Sequence, residues 1–276
     1  MRNNNWTGER LETFIYNGNT IEHLHRYAIA GSFINDKAVL DIASGEGYGS
    51  FLMSNHASYV TGVDIDSASI EKANFKYQKD NLAFKTGSSD HIPLEDHSVD
   101  VVVSFETIEH HDRHEKMYEE IKRVLKPGGI LIMSSPDKKY YSDKRNYKNP
   151  HHVKELYFEE FRKLASRFFK HISLFNQKMI FGSLIYPSSN TVTGNFQAFS
   201  GDYDLINESV DLEPLYNVVI ACDHELLCSN ISFFNGQDVL MKEYDELVKK
   251  VRGSIRYRVG DFLLKPFTYL SKFVKN

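Results

Sequence analysis

The segment from residue 39 to residue 49 reads VLDIASGEGYG, a short apolar run followed by three glycines at alternate positions. Glycine adopts backbone conformations that other residues avoid, and it lets the chain approach a ligand with no side chain in the way. A strand that runs into a glycine-rich turn and then a helix is typical of the first unit of a nucleotide-binding α/β sheet. The segment therefore predicts a parallel sheet with a ligand at the carboxyl end of its first strand.

Short apolar runs alternate with amphipathic segments over residues 38 to 135. The amphipathic segments place apolar residues at helical spacing, as in Met117, Ile121 and Val124. This helix is expected to end at KPGG (126–129), because proline cannot extend it and glycine permits a sharp turn. Repeated strand–helix–strand units predict an α/β sheet with helices on both faces. The predicted strands are residues 38–42, 59–63, 82–85, 99–104, 130–134 and 216–222, with a further strand–helix–strand stretch at 155–177.

Acidic residues flank the glycine loop and end the second predicted strand. Asp41 precedes the loop and Glu46 lies within it, so a pyrophosphate there would meet negative charge. S-adenosylmethionine (SAM) carries an ammonium, a sulfonium and ribose hydroxyls but no phosphate, so the loop favours SAM. Asp64 at the tip of the second strand can accept both ribose hydroxyls. Asp64 alone does not separate SAM from NAD, and a nicotinamide-dependent oxidoreductase stays an alternative.

Four ordered motifs, VLDIASGEGYG, VTGVDID, SVDVVVSFETIEHH and IKRVLKPGGILIMSSPDK, resemble the class I SAM-dependent methyltransferases of the type 11 subgroup. The resemblance covers about residues 38 to 135. It implies a Rossmann-like sheet of seven strands, mostly parallel with the last strand reversed, and an insertion before that last strand. It also implies SAM as the methyl donor and S-adenosyl-L-homocysteine as the product.

The resemblance implies positions for the parts of SAM. Asp41 and the loop around Gly45 are expected to face the methionine part, Asp64 the ribose and Ile65 the adenine. Relatives often carry Gly-Asp after the third strand, whereas this chain has Gly87-Ser88-Ser89-Asp90, so the adenine contact there is assigned to either serine or to Asp90. The expected cofactor residues are Asp41, Ala43, Gly45, Glu46, Gly47, Asp64, Ile65, Ser88, Ser89, Asp90 and Phe105, with Tyr16 and Arg26 from the N-terminal segment.

The N-terminal segment, residues 1–36 including Gly8-Glu9-Arg10, folds over SAM in the proteins that the chain resembles. Arg26 is then expected to pair with the methionine carboxylate, with Tyr16 or Tyr27 closing the pocket. An exposed amphipathic helix is the alternative for this segment.

Two histidine clusters are candidates for the chemistry of methyl transfer. His110 follows the fourth strand, beside Glu109, and is the first candidate for a base or for a group that positions the acceptor. His152, in the sequence NPHHVKEL (149–156), is the second candidate. The alternative for His110, His152 and Glu109 is a purely structural role. His110 and His114 also have the spacing of a metal pair, but a solvated helix start explains it equally well, and no metal is expected.

The acceptor is predicted from a second resemblance. The order SPDK, then NPHHVKEL, then SIRYRVGDF (254–262) resembles methyltransferases of bacterial surface-polysaccharide biosynthesis, of the O-antigen and capsule type. It implies O-methylation of a sugar hydroxyl or phosphate-type group, on a glycan, nucleotide-sugar or lipid-linked saccharide. The alternatives are a small-molecule or quinone-like lipid acceptor, held by an aromatic insertion at about 182–214, and a non-catalytic protein of the same fold.

The remaining expectations concern organisation and location. Residues 1–234 are expected to form the methyltransferase domain, and residues 235–276 a helical, basic amphipathic tail. From Arg252 onward the tail has six Lys or Arg residues against Asp261 alone, so it either lies on the inner membrane face or packs on the domain. The absence of a signal peptide predicts a cytoplasmic protein. A net charge of -4 argues against a general nucleic-acid binder, and the two cysteines, Cys222 and Cys228, make no disulfide framework or zinc site by themselves.

Overall fold

The computed structural model describes residues 11–180, 199–201, 206–208, 213–226 and 231–273. Its main sheet has seven strands in the order β3-β2-β1-β4-β5-β9-β6, and a separate pair, β7 and β8, forms a small antiparallel ribbon. Strand β9 runs antiparallel to both of its neighbours, while the other pairs along the sheet are parallel. The strands are β1 Ala38–Ile42, β2 Tyr59–Asp64, β3 Leu82–Thr86, β4 Val99–Phe105, β5 Leu125–Pro136, β6 His171–Gln177, β7 Phe199–Gly201, β8 Ile206–Glu208 and β9 Tyr216–Cys222.

Helices cover both faces of this sheet. One apolar cluster packs α4 and α5 against it through residues such as Met117 and Phe161, and a second cluster packs α1, α2 and α3 through residues such as Ala30, Met53 and Ala73. The predicted α/β sheet with a reversed last strand is therefore confirmed. The helices are α1 Gly18–Gly31, α2 Tyr48–Met53, α3 Ser67–Lys76, α4 His114–Val124, α5 Phe158–Phe168, α6 Gln237–Gly253 and α7 Ile255–Phe273, with a 3₁₀ turn at Ile108–His110 and a π-helical turn at Lys139–Asp143.

The turn predicted at residues 126–129 lies inside a strand. Helix α4 ends at Val124, as the proline requires, but β5 already begins at Leu125. The register between β4 and β5 shifts after the first pair, and Gly128 adopts a φ of 78°. A Cβ on Gly129 would lie 3.0 Å from the carbonyl oxygen of Asp100. The two glycines thus form a bulge that lets the strand start earlier than the sequence pattern indicates.

Parts of the predicted organisation lie outside the described residues. Gly8-Glu9-Arg10, Cys228 and most of the 182–214 insertion fall there; within the insertion the structure describes only β7, β8 and the residues that lead into β9. In the tail, α6 and α7 are long helices. Among the described residues, none of the helices combines the length and the apolar character needed to cross a lipid bilayer.

Candidate active site

A cavity of about 670 Å³ opens at the carboxyl ends of β1, β2 and β4. Strand order reverses between β1 and β4, and crevices at such points bind ligands in open α/β sheets. The cavity extends from the glycine loop to the residues around His152. Its lining includes Ala43, Ser44, Gly45, Glu46, Asp64, Ile65, Ser88, Ser89, Asp90, Phe105, Glu106, Glu109, His110, Tyr141, Tyr147, Asn149, His152 and Tyr216.

The loop after β1 has a left-handed backbone at three positions. Ala43, Gly45 and Gly47 have φ values of 61°, 54° and 89°. A Cβ on Gly47 would lie 2.7 Å from the ring of Phe84, so this glycine lets the loop pack on β3. A Cβ on Gly45 would meet no protein atom within 4 Å, although Gly45 lines the cavity. The loop therefore forms a cradle that a ligand, rather than protein, can fill.

Polar groups of the cradle fit the ribose and methionine parts of SAM. The Oγ of Ser44 is buried and has no hydrogen-bond partner among the described residues, so a ligand can satisfy it. The backbone N–H of Gly45 donates to Oδ2 of Asp64 over 2.8 Å, and the N–H of Asp66 donates to Oδ1 over 2.9 Å. These bonds fix the Asp64 carboxylate at the end of β2, where it lines the cavity and can meet the hydroxyls of a ribose. Ile65 is 72% exposed and offers an apolar surface to a base.

Charges in the cavity argue against a pyrophosphate. Among the described lining residues Arg113 is the one permanent cation, and it pairs with Asp90.

A hydrogen bond from Ser88 lowers the pKa of Asp90. The Oγ of Ser89 lies 3.0 Å from Nε2 of His111. Gly87 and the Ser88–Asp90 segment line the cavity, where the resemblance predicts the adenine end of SAM.

Glu46 lines the cavity but is also a link between elements. It accepts hydrogen bonds from the backbone N–H and the hydroxyl of Thr13, over 2.7 Å and 3.1 Å, and it forms an ion pair with Lys76 of α3. The N-terminal segment is therefore fastened to the glycine loop on the cofactor side of the cavity.

Asp41, Gly47, Tyr16 and Arg26 were expected at the cofactor, but the structure does not place them among the residues that line the cavity. Asp41 is buried behind the wall, where it accepts a hydrogen bond from Oγ of Ser50 over 2.6 Å. Burial raises the pKa of Asp41 to about 7. Its contacts are those of a buried acid that supports the loop from beneath.

Arg26 lies inside the protein and joins three elements. Its Nη1 donates to Oε1 of Gln177 over 2.8 Å and lies 3.7 Å from Oε1 of Glu106, and its guanidinium lies 4.9 Å from the centre of the Tyr216 ring. The Nε of Arg26 has no hydrogen-bond partner among the described residues, and a contact with the methionine carboxylate stays a prediction. The ring of Tyr16 instead lies beneath the amino group of Lys242. Tyr27 does line the cavity, with its ring edge against Phe105.

The structure brings the two histidine clusters together. The rings of His110 and His152 lie 5.2 Å apart in an edge-on arrangement, although they belong to distant segments of the chain. Glu109 is 1% exposed, and burial raises its pKa well above the usual range. Both of its carboxylate oxygens lack a hydrogen-bond partner. His114 does not join this group, because its Nε2 bonds to the carbonyl oxygen of His111 over 2.7 Å and it does not line the cavity.

Several lining residues were not predicted. Glu106 has a φ of 52°, a strained value for this residue, and its Oε1 accepts a hydrogen bond from Ser134 over 2.6 Å. It stands three residues before Glu109 on the same loop, a spacing that could have drawn attention to it. Ser44 adjoins predicted residues and could have been found in the same way. Asn149 belongs to the NPHHVKEL motif that carries His152, and Tyr141 and Tyr147 lie in the loop just before it. No local pattern marks Tyr216, which begins β9.

Residues 40–133 match the family model described as a methyltransferase domain. A probable S-adenosylmethionine-dependent methyltransferase of Mycolicibacterium smegmatis is 37% identical over 127 residues, which cover 46% of this chain and 49% of that protein. Phthiotriol/phenolphthiotriol dimycocerosates methyltransferase 1 of Mycobacterium ulcerans is 29% identical over 115 residues, or 40% of this chain and 42% of that protein. The chain thus spans about half the length of the curated relatives it matches.

Solved structures share the fold. The YcgJ protein of Bacillus subtilis aligns with a TM-score of 0.53 at 17% identity, over 74% of this chain and all of that one. A SAM-dependent methyltransferase from Thermotoga maritima aligns with a TM-score of 0.52 at 17% identity, over 75% of this chain and 91% of that one. The chain therefore has the fold of these solved structures, and residues 40–133 resemble a methyltransferase domain, a match that implies S-adenosyl-L-methionine as the cofactor.

Proposed function

We propose that this protein transfers the methyl group of SAM to a hydroxyl oxygen of an acceptor that enters beside Tyr141 and His152. The observation that carries the proposal is one continuous cavity with the SAM cradle at one end and two histidines at the other. Bound SAM supplies a methyl group on a positively charged sulfur. The protein holds the acceptor in line with that group and removes the hydroxyl proton.

The partners of the two histidines indicate which nitrogen can take the proton. Nδ1 of His110 lies 3.1 Å from the carbonyl oxygen of His151, which can only accept a hydrogen bond. Nδ1 therefore carries the proton, and Nε2 is the basic nitrogen. Nδ1 of His152 lies 2.6 Å from Glu155, but its Nε2 already faces the amide nitrogen of Asn149 at 3.0 Å. His110 is thus the preferred base, and His152 positions the acceptor.

A sugar hydroxyl or phosphate-type group of a bacterial surface glycan is the acceptor we favour. Tyr141 stacks on His152 with ring centres 5.4 Å apart, and Tyr147 and Asn149 lie beside them. Flat aromatic surfaces next to amide and imidazole groups suit a ring that is apolar on its faces and rich in hydroxyls at its edge. Residues 254–262, which carry part of the surface-polysaccharide resemblance, lie at the start of α7.

A lipid-like hydroxyl compound is the second candidate. The Mycobacterium ulcerans relative is named for methylation of phthiotriol and phenolphthiotriol dimycocerosates. The exposed apolar side chains of α7 also suit a protein that works at a membrane surface, which would place it on the cytoplasmic side of the inner membrane.

The test incubates the full chain with labelled SAM and two panels of acceptors. One panel holds nucleotide sugars, lipid-linked saccharides and polysaccharide fragments, and the other holds quinone precursors and long-chain diols. We expect labelled product and S-adenosylhomocysteine with the first panel. Turnover with the second panel alone would select the lipid-like acceptor. Calorimetric binding of NAD(H) without binding of SAM or S-adenosylhomocysteine would overturn the methyltransferase proposal and revive the oxidoreductase.

A further inference from the structure

Three side chains around the acceptor end of the cavity have the arrangement of metal ligands. Glu109, His110 and His152 each present a ligand atom, and these atoms all lie within 4.8 Å of one another. Glu109 and His110 belong to the turn after β4, whereas His152 belongs to the loop that leads to α5. The fold therefore gathers them from two segments, and local sequence spacing does not account for the cluster.

The groups behind the histidines match those that orient metal-bound imidazoles. A histidine that binds a metal usually donates its other ring N–H to a carboxylate or a backbone carbonyl, which holds the ring and its tautomer. His152 has Glu155 at 2.6 Å from Nδ1, and His110 has the carbonyl oxygen of His151 at 3.1 Å from Nδ1. In both rings Nε2 is then the unprotonated nitrogen. The amide of Asn149 beside Nε2 of His152 must turn aside for a metal to bind there.

Glu109 supplies an independent observation. Both of its oxygens are buried and lack a hydrogen-bond partner, a costly state for a carboxylate. Its Oε1 lies 3.9 Å from Nε2 of His110, which is too far for a hydrogen bond but suits two ligands of one ion.

We propose that Glu109, His110 and His152 bind a divalent transition-metal ion. Two imidazole nitrogens with carboxylate oxygens suit Zn²⁺, Mn²⁺ or Co²⁺ better than Mg²⁺ or Ca²⁺, which prefer oxygen ligands throughout. This proposal departs from the expectation, drawn from the sequence, that the protein binds no metal. It uses His152, from a distant segment, in place of the His110 and His114 pair.

The site gives the acceptor a defined place, a step that rests on the proposed function. A cation bound there can coordinate the acceptor hydroxyl and lower its pKa, so that the oxygen loses its proton more readily. The C–O bond to the methyl group then forms as the S–C bond of SAM breaks. His110 is a metal ligand in this state and cannot also accept the proton, so its role as the base applies to the protein without metal, and with metal bound the proton leaves to solvent.

The experiment measures metal binding without turnover. The full chain, free of any histidine tag, is stripped with a chelator and titrated with Co²⁺, whose visible absorption reports its ligands, and with Zn²⁺ in a calorimeter. We expect one ion per chain and a melting temperature that rises with Zn²⁺. Glu109→Gln keeps the shape of the side chain and should weaken binding at least about tenfold, as should His152→Ala. Glu155→Gln should weaken it by about tenfold while leaving the three ligands in place.

The control is His56→Ala, which removes an exposed histidine that does not line the cavity and should leave the affinity unchanged. The proposal fails if the wild-type protein binds neither ion, or if it binds them with the same affinity after Glu109→Gln and His152→Ala. In the former case Glu109 is simply a buried, protonated acid. SAM binding measured on the same stripped protein is a separate result, so a failure of the metal site does not count as a failure of the methyltransferase proposal.

Discussion

Two glycines with the same left-handed backbone differ in what they do for the site. Gly45 and Gly128 both have a left-handed backbone, and a Cβ at either would meet no protein atom within 4 Å. Of these two, only Gly45 lines the cavity.

The glycines of the loop were recognisable from the sequence, because their spacing after an apolar strand is a local pattern. The orientation of Asp41 was not, because it depends on Ser50 from the following helix.

Gly45→Ala should raise the dissociation constant of SAM at least about tenfold, which corresponds to about 1.4 kcal/mol. The added methyl group strains the backbone and occupies the space of the ligand. Gly128→Ala is the matched control, since it brings the same backbone strain at a site away from the cavity. Calorimetry with SAM distinguishes them. Equal loss of binding in both variants would show that strain alone is responsible.

Asp41 should make the protein less stable as the pH rises. Burial raises the pKa of this carboxyl to about 7 from an ordinary value of 3.8, so between these values the folded chain holds a proton that the unfolded chain has released. The free energy of unfolding should therefore fall by about 1.4 kcal/mol per pH unit from this group across that window. Below this pH window Asp41 is protonated in both states, and its contribution to stability is fully present. Above the window the carboxyl is ionised in both states, and the free energy of unfolding no longer falls because of this group.

Asp41→Asn should remove this part of the pH dependence and stabilise the protein at neutral pH, as measured by urea denaturation at several pH values. Ser50 can still donate to the amide oxygen of the introduced asparagine, so the loop support is retained. An unchanged slope in the variant would contradict the assignment to Asp41.

At the level of elements, the site depends on how α1, β6 and the turn after β4 are tied together. Arg26 of α1 contacts Gln177 of β6 and approaches Glu106 after β4. The elements themselves follow from apolar periodicity, and the sequence predicted most of them. Their mutual contacts could not be predicted in this way, because buried Arg26 and its hydrogen-bond partner Gln177 lie 151 residues apart.

Arg26→Met should lower the stability by about 3 kcal/mol, because it leaves Glu106 near Glu109 without the neighbouring cation. Arg167→Met is the control; Arg167 forms an exposed ion pair with Glu115, and its loss should cost much less because solvent screens both charges. Chemical denaturation at constant pH gives both values. Similar costs for the two variants would mean that Arg26 has no special role.

For the whole molecule, α7 is the element whose purpose the sheet does not explain. Ile255, Val259, Phe262 and Leu263 are spaced so that they form one stripe, and all four are exposed, at 80% for Ile255 and 78% for Phe262. An apolar stripe with nearby arginines on the described part of the helix favours an anionic membrane surface. The division of the chain at residue 235 and this contact both stay predictions.

The full chain should sediment with vesicles that contain anionic phospholipid and should be released as salt is raised. Phe262→Ser with Leu263→Ser should weaken this binding by at least about tenfold, since each buried side chain contributes a few kcal/mol. Met241→Ser, which alters an exposed apolar residue of α6, should have little effect. Undiminished vesicle binding in the α7 variant would exclude the helix as the contact.

The reversed strand β9 also bears on how such proteins diversify. Because β9 runs opposite to β6, the chain leaves the sheet at Gln177 and returns at Tyr216 on the same edge, and these two residues are paired. A hydrogen bond from the N–H of Leu215 to the carbonyl oxygen of Gln177 closes the base of the excursion. The segment between Gln177 and Tyr216 therefore leaves and rejoins the sheet at one fixed place beside the cavity, which Tyr216 lines. We expect that changes in this segment can alter the acceptor while the sheet that forms the cofactor end of the cavity stays the same.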